Sequence, residues 1–282
     1  MQHFIRILSL VIAGILSFHV IPSSGQDKQM VEPWKGTLAD GTTITEKDLS
    51  KILEEHDIWM HTLWQDGKRA NLSQADLSGA DLSGAILSGA VLIEANLNGA
   101  KLNDADLNGA DMIEVNLKGA NLKGAYLSET HMIKANLIEA NLNGSCLINA
   151  DLIEADLSGA TLIRADLRNA HMMGSYLIEA DLSGANLSGA AMSEANLSRA
   201  KLNGVNLSGA NLDGTNLSKA QLKGANLSKA HLNDANLYGA DLSGANLSDA
   251  HLNDTNLSDA NLNGANLSGT DLSGANLNGA KL

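Results

Sequence analysis

The sequence predicts an all-β solenoid, and three observations carry that expectation. From Ala70 to Leu282 one five-residue unit recurs: small residue, Asn or Asp, Leu, Ser, Gly, in strings such as ANLSG, ADLSG and ANLNG. Its core position falls at residues 72, 77, 82 and every fifth residue to 282; these 43 positions hold 39 Leu and 4 Met. Two residues before the core position stands Ala at 35 of them, and Val, Thr or Ser at the rest. A period of five matches neither the 3.6 of an amphipathic helix nor the 2 of a plain strand. It matches a chain that turns after every unit and stacks on itself.

In chain order, residues 1–25 read as a secretory signal peptide. Arg6 forms a short charged region, Ile7 to Ile21 is uncharged and apolar, and Pro22-Ser23-Ser24-Gly25 suits cleavage after Gly25. The apolar run is short for a membrane span, which needs about 20 residues. The expectation is export, periplasmic or secreted, with cleavage near Gly25. Membrane attachment follows only if this segment stays uncleaved as an anchor.

Residues 26–69 differ in composition. They hold all three Trp (Trp34, Trp59, Trp64) and Pro33. Thr45 and Asp48 make a capping-box-like start, with Asp where Glu or Gln is usual. Leu49, Ile52, Leu53, His56, Met60 and Leu63 fall on one helical face, and Gly67 supplies a stop. These residues predict a helix at about 46–65, laid over the open end of the first turn of the solenoid. Trp59 and Trp64 are then cap residues, because the terminal repeat of a solenoid exposes its core.

Residues 70–282 are the repeat. Each unit puts two side chains inward, as alternation along a short extended stretch requires. Gly at the second residue after the core position gives the corner its backbone freedom. Leu72, Leu77 and Leu82 begin the core series, and Met112, Met132, Met172 and Met192 continue it.

The strings ADLSG at 75–79 and ANLSG at 185–189 resemble the pentapeptide-repeat family. The resemblance covers about three quarters of the chain. It implies a right-handed quadrilateral parallel β-helix in which four units make one coil of 20 residues. About eleven coils at ~4.8 Å spacing make a column on the order of 50 Å long. The string ILEEHDIWMHTLWQDGKRANLSQADL also resembles the leader ahead of many such arrays.

The residues offer an internal check on a four-unit coil. The four Met differ by multiples of 20, as do His131, His171, His231 and His251, and Ile93, Ile113, Ile133 and Ile153. Each set stacks on one face. Duplication of whole segments explains the same spacing and is compatible with the column.

The formal charge is −13. Such a surface keeps a Leu-cored column soluble and repels nucleic acid and anionic lipid, so direct nucleic-acid binding is not expected. No catalytic or cofactor-binding constellation is present: there is no nucleophile elbow, phosphate loop or dinucleotide fingerprint. Glu94 with Glu114, and Asp234 with Asp254, are like-charge neighbours, but acid–base work needs a concave site. His231 and His251, one coil apart, are the metal candidates, with no third ligand specified. Cys146 is the lone cysteine and points outward, so it is a free thiol or an intermolecular link.

The leading expectation is therefore a non-catalytic, exported structural or protein-interaction scaffold without cofactor, its protein partner unknown. The family resemblance implies an alternative, a DNA-mimicking regulator of a type II topoisomerase, which requires a cytoplasmic protein. Weak divalent-metal binding on the His face is a second alternative. Leu282 on the last coil presents an exposed edge, from which a homodimer through the C-terminal coil is expected.

Overall fold

The structure, a computed structural model, describes residues 33–282. The signal peptide at 1–25 lies outside the described residues. Among the described residues no helix is long and apolar enough to cross a membrane.

The chain first forms a hairpin. Strand β1 (Lys35–Thr37) pairs antiparallel with β2 (Thr43–Thr45), with Gly36 opposite Ile44. Asp40-Gly41 make the turn between them. The Asp40 carboxylate accepts from the Thr42 amide at 2.9 Å, and Gly41 takes φ +85°. Helix α1 (Glu46–His61) follows directly. Thr45 Oγ1 accepts from the Asp48 amide while Asp48 accepts from the Thr45 amide, so Asp completes the capping box in place of Glu.

Helix α1 is shorter than the predicted 46–65. It closes at Thr62, whose amide donates to Ile58 O at 2.9 Å, and Leu63 and Trp64 turn left-handed at φ +53° and +70°. Gly67 is not the stop. It lies further on, φ +73°, where a Cβ would collide with the Glu55 carbonyl, so it brings the departing chain back against the helix. The early turn leaves Leu63 and Trp64 facing out, at 77% and 70% exposure. Trp64 therefore does not cover the coil: it packs on Trp59, ring centroids 6.0 Å apart.

The hairpin and helix attach to the first coil through a few specific bonds. Thr37 and Asp76 exchange backbone hydrogen bonds at 3.0 and 2.7 Å, which adds β1 antiparallel to the coil edge. Trp34 Nε1 donates to Ser78 O at 2.9 Å. From the helix, His56 is fully buried and uses both ring nitrogens. Nδ1 accepts from the Ala70 amide at 3.1 Å, which leaves Nε2–H to donate to Ser88 O at 3.1 Å. Arg69 Nε donates to Gly89 O at 2.6 Å.

The repeat then winds as a four-sided parallel β-helix. Every parallel bridge joins residue n to n + 20, from Asn71–Val91 to Asn261–Lys281. A core residue donates up the column and the residue before it donates down: Leu82 N to Lys101 O at 2.7 Å, Lys101 N to Ala80 O at 2.9 Å. Each corner closes by a bond such as Ala85 N to Leu82 O at 3.1 Å. The third residue of each turn has positive φ, as in a type II turn. Gly occupies about half of these corners; the others hold residues such as Glu94 and Glu114, at φ +55° and +56°.

Leu and Met fill the axis. From Leu72 to Leu262 the core positions, Met112, Met132, Met172 and Met192 among them, are at most 2% exposed. The adjacent small residues sit where a wall turns in. Where that residue is polar, its hydroxyl is satisfied: Ser175 Oγ donates to Met172 O, and Thr255 Oγ1 to Leu232 O, both at 2.7 Å. Ser and Thr thus replace Ala without leaving a buried polar atom unpaired.

Candidate functional site

The bridging residues point outward and define four faces. Face 1 carries residues 71, 91 and every twentieth residue to 271; face 2 carries 76 to 276; face 3 carries 81 to 281; face 4 carries 86 to 266. The function of such a molecule resides in these walls and the corners between them.

Face 1 holds the histidines. The His231 and His251 rings stack, centroids 4.9 Å apart and planes 12° from parallel. The pose is that of two stacked polar rings. Among the described residues no group of three or more His, Cys, Asp or Glu could hold a metal ion. His131 Nδ1 stands 3.9 Å from Asp111 on the same face.

The corner after face 1 carries Glu94, Glu114, Glu154, Glu194, Asp234 and Asp254, all exposed at left-handed φ. The carboxylate pairs named from the sequence lie here on an exposed corner. On face 3, Lys101 reaches Asp81 at 3.2 Å and Lys201 reaches Asp181 at 3.5 Å. The Ser83 hydroxyl, its amide and Lys101 hold Asp81 below the ordinary carboxylate range. Cys146 is half-buried on face 4, its Sγ 3.3 Å from Ser128 Oγ.

Faces 2 and 4 carry asparagine ladders. On face 4, Asn206, Asn226, Asn246 and Asn266 each donate from Nδ2 to Oδ1 of the Asn one coil earlier, at 3.0 to 3.3 Å. On face 2, Asn216, Asn236, Asn256 and Asn276 do the same at 3.1 to 3.5 Å. Each Oδ1 also accepts from the backbone amide two residues on, for example Ser218 N to Asn216 at 3.1 Å. That second bond orients the amide, so the ladder runs one way along the column.

On face 2 a groove lies over the ladder. Its volume is about 510 Å3, with Asn216, Asn236 and Asn256 as floor and Ile178, Arg199, Lys219 and Tyr238 along the side. Tyr238 is 40% exposed, and Arg199 is braced by Glu179 at 3.1 Å. Sequence reasoning did not single these residues out. The available signal was Tyr238 in a slot that holds Ser198, Ser218 and Ser258 in neighbouring coils.

At the column's far end Leu267, Leu272 and Leu277 are half-buried and Leu282 is 76% exposed.

Comparison with known proteins agrees with this geometry. The family profile "Pentapeptide repeats" matches residues 70–109, 110–149, 150–189, 180–218, 190–228, 215–254 and 250–282. No curated protein matches. Among solved structures, the chain is similar to HetL, a pentapeptide repeat protein involved in heterocyst differentiation regulation in the cyanobacterium Nostoc. Identity is 33% over 78% of this chain and 95% of HetL, TM-score 0.48. A pentapeptide repeat protein from the Arabidopsis thaliana thylakoid lumen is 32% identical over 38% of this chain and 68% of its own, TM-score 0.26. QnrB1, a plasmid-mediated fluoroquinolone resistance protein, is 21% identical over 76% of this chain and 90% of its own, TM-score 0.30. With its five-residue units wound into a right-handed β-helix and matched from residue 70 to 282, the chain belongs to the pentapeptide-repeat family.

Proposed function

We propose that the protein is a non-catalytic, exported scaffold that binds other proteins through the walls of its column. The observation that carries the reading is the unbroken n to n + 20 bridging. Every coil between the ends is bonded to both neighbours, so wall side chains stand on a fixed lattice. A partner that docks on such a wall orders little of the scaffold, which lowers the entropic cost of association. The open corners, with their exposed carboxylate pairs, suit recognition better than acid–base chemistry.

Export rests on Arg6, the apolar run Ile7–Ile21 and the small residues around Gly25. A reporter fused after residue 69 tests it. The expected result is an exported reporter and a processed N-terminus after Gly25. A reporter retained in the cytoplasm overturns the reading and favours the DNA-mimicking alternative. Affinity capture with the full column from the identified compartment then finds the partner.

A second copy of the chain belongs in the same proposal. Leu282 is exposed and the leucines of its coil are half-buried, an apolar surface that an identical coil can cover. Sedimentation is expected to show a dimer; a monomer at tens of micromolar, roughly the range of weak self-association, overturns it.

A further inference from the structure

We propose that the groove on face 2 binds a linear, uncharged oligosaccharide lying along the column axis. The floor sets the first condition. Oδ1 of Asn216 accepts from Ser218 N and Asn236 Nδ2, and Oδ1 of Asn236 accepts from Tyr238 N and Asn256 Nδ2. Both acceptor sites of each carbonyl are filled. Each Nδ2 gives one hydrogen to the previous coil and keeps one. The floor therefore presents one free amide donor per coil, about 4.8 Å apart, and no free acceptor. Its ligand must offer acceptor oxygens at a short, regular interval.

Charge sets the second condition. A protein at −13 repels a polyanion, and a polycation brings no acceptors for the floor. Spacing sets the third. An extended peptide repeats on one side every two residues, about 6.6 Å, and falls out of step with ~4.8 Å rungs after one or two coils. A chain of pyranose rings meets the first two conditions, and its ring-to-ring advance lies closer to the rung spacing than the two-residue repeat of a peptide does. It carries neutral oxygens on every ring and supplies hydroxyl donors of its own. Glu194 and Asp234, on the corner before this face, can accept those donors, while Arg199 and Lys219 donate from the other side. The exposed ring of Tyr238 gives a sugar's apolar face a flat partner.

Face 4 is the internal control. Its ladder from Asn186 to Asn266 has the same bonds, but Ser188, Ser208, Ser228, Ser248 and Ser268 occupy the slots that include Tyr238 on face 2.

The test is titration of the full chain with three neutral hexaoses, cellohexaose, maltohexaose and xylohexaose, and with a hexuronate. Binding is read by calorimetry or amide chemical shifts up to ~10 mM, beyond the weak end of the affinity scale. At least one neutral hexaose is expected to saturate, with the hexuronate tenfold weaker or worse. Tyr238→Ala is expected to weaken binding at least tenfold with an unchanged melting curve, whereas Asn226→Asp on face 4 leaves it unchanged. Absence of binding by all three neutral chains overturns the proposal. So does equal binding by Tyr238→Ala, or tighter binding of the hexuronate.

Discussion

The cap and the column are built on opposite principles. In the column, each bond is one of many copies, and any coil between the ends can replace any other as a neighbour. In the cap, each bond occurs once: Thr37 to Asp76, Trp34 to Ser78, His56 to Ala70 and Ser88. The column's stability is therefore distributed, and the cap's is concentrated in a few residues. The difference is convenient to measure, because all three tryptophans, Trp34, Trp59 and Trp64, belong to the segment before the repeat. Tryptophan fluorescence reports the cap, and far-ultraviolet dichroism is dominated by the column.

The largest effect is expected from the core. Leu162→Ala removes a fully buried side chain from mid-column and should cost about 2–5 kcal/mol, read as a lower dichroism melt. A change confined to tryptophan fluorescence would break the comparison. Next comes the clasp. His56→Ala leaves the Ala70 amide and Ser88 carbonyl without partners, about 1–3 kcal/mol. It should release the cap signal while the column melt holds.

Acid does the same reversibly. Burial holds His56 below its ordinary value of 6.5, so the folded cap binds the neutral ring and the unfolded segment takes up the proton more readily. Its contribution is full above about pH 6.5 and falls as pH drops from there toward the depressed value. Asp76, held below 3.8 by Ser78 and by Asn96, loses its contribution only at lower pH. Two acid steps are expected in wild type, cap first. His56→Gln should abolish the first and keep the second; a single step common to both probes would show that cap and column are one cooperative unit.

Smaller still is a ladder rung. Asn216→Ala removes its amide bond of 3.3 Å to Asn196 and the bonds it accepts from Asn236 Nδ2 and Ser218 N, all in a partly solvated wall, about 0.5–1.5 kcal/mol. The smallest expected effect is at a corner. Glu114→Gly relieves a left-handed non-glycine residue but adds unfolded-state freedom, so the net change should lie within about 1 kcal/mol, on the stabilising side.

The same contrast explains what could be read in advance. Leu at every fifth residue and Met at multiples of 20 specify the column, because repetition states each contact many times over. The cap's contacts are stated once. The hairpin signal, Asp40-Gly41 between Thr37 and Thr43, was present but short. Gly67 read as a helix stop because glycine usually ends helices; here the chain leaves at Thr62 and Gly67 serves a later close approach. His56 stood in an apolar stripe, and nothing in the stripe shows that its two nitrogens meet backbone groups 14 and 32 residues away. The His231–His251 pair follows from spacing, but spacing does not give ring orientation, and the two rings stack.

The central claim is that one coil takes 20 residues, and a distance between two spin labels tests it most directly. With Cys146 replaced by Ser, labels at positions 156 and 256 on face 2 are separated by five coils, on the order of 24 Å. A narrow distribution near that value is the expected result. A three-unit coil of 15 residues would place the same labels about 32 Å apart, by the same strand spacing, and that reading would contradict the four-sided column.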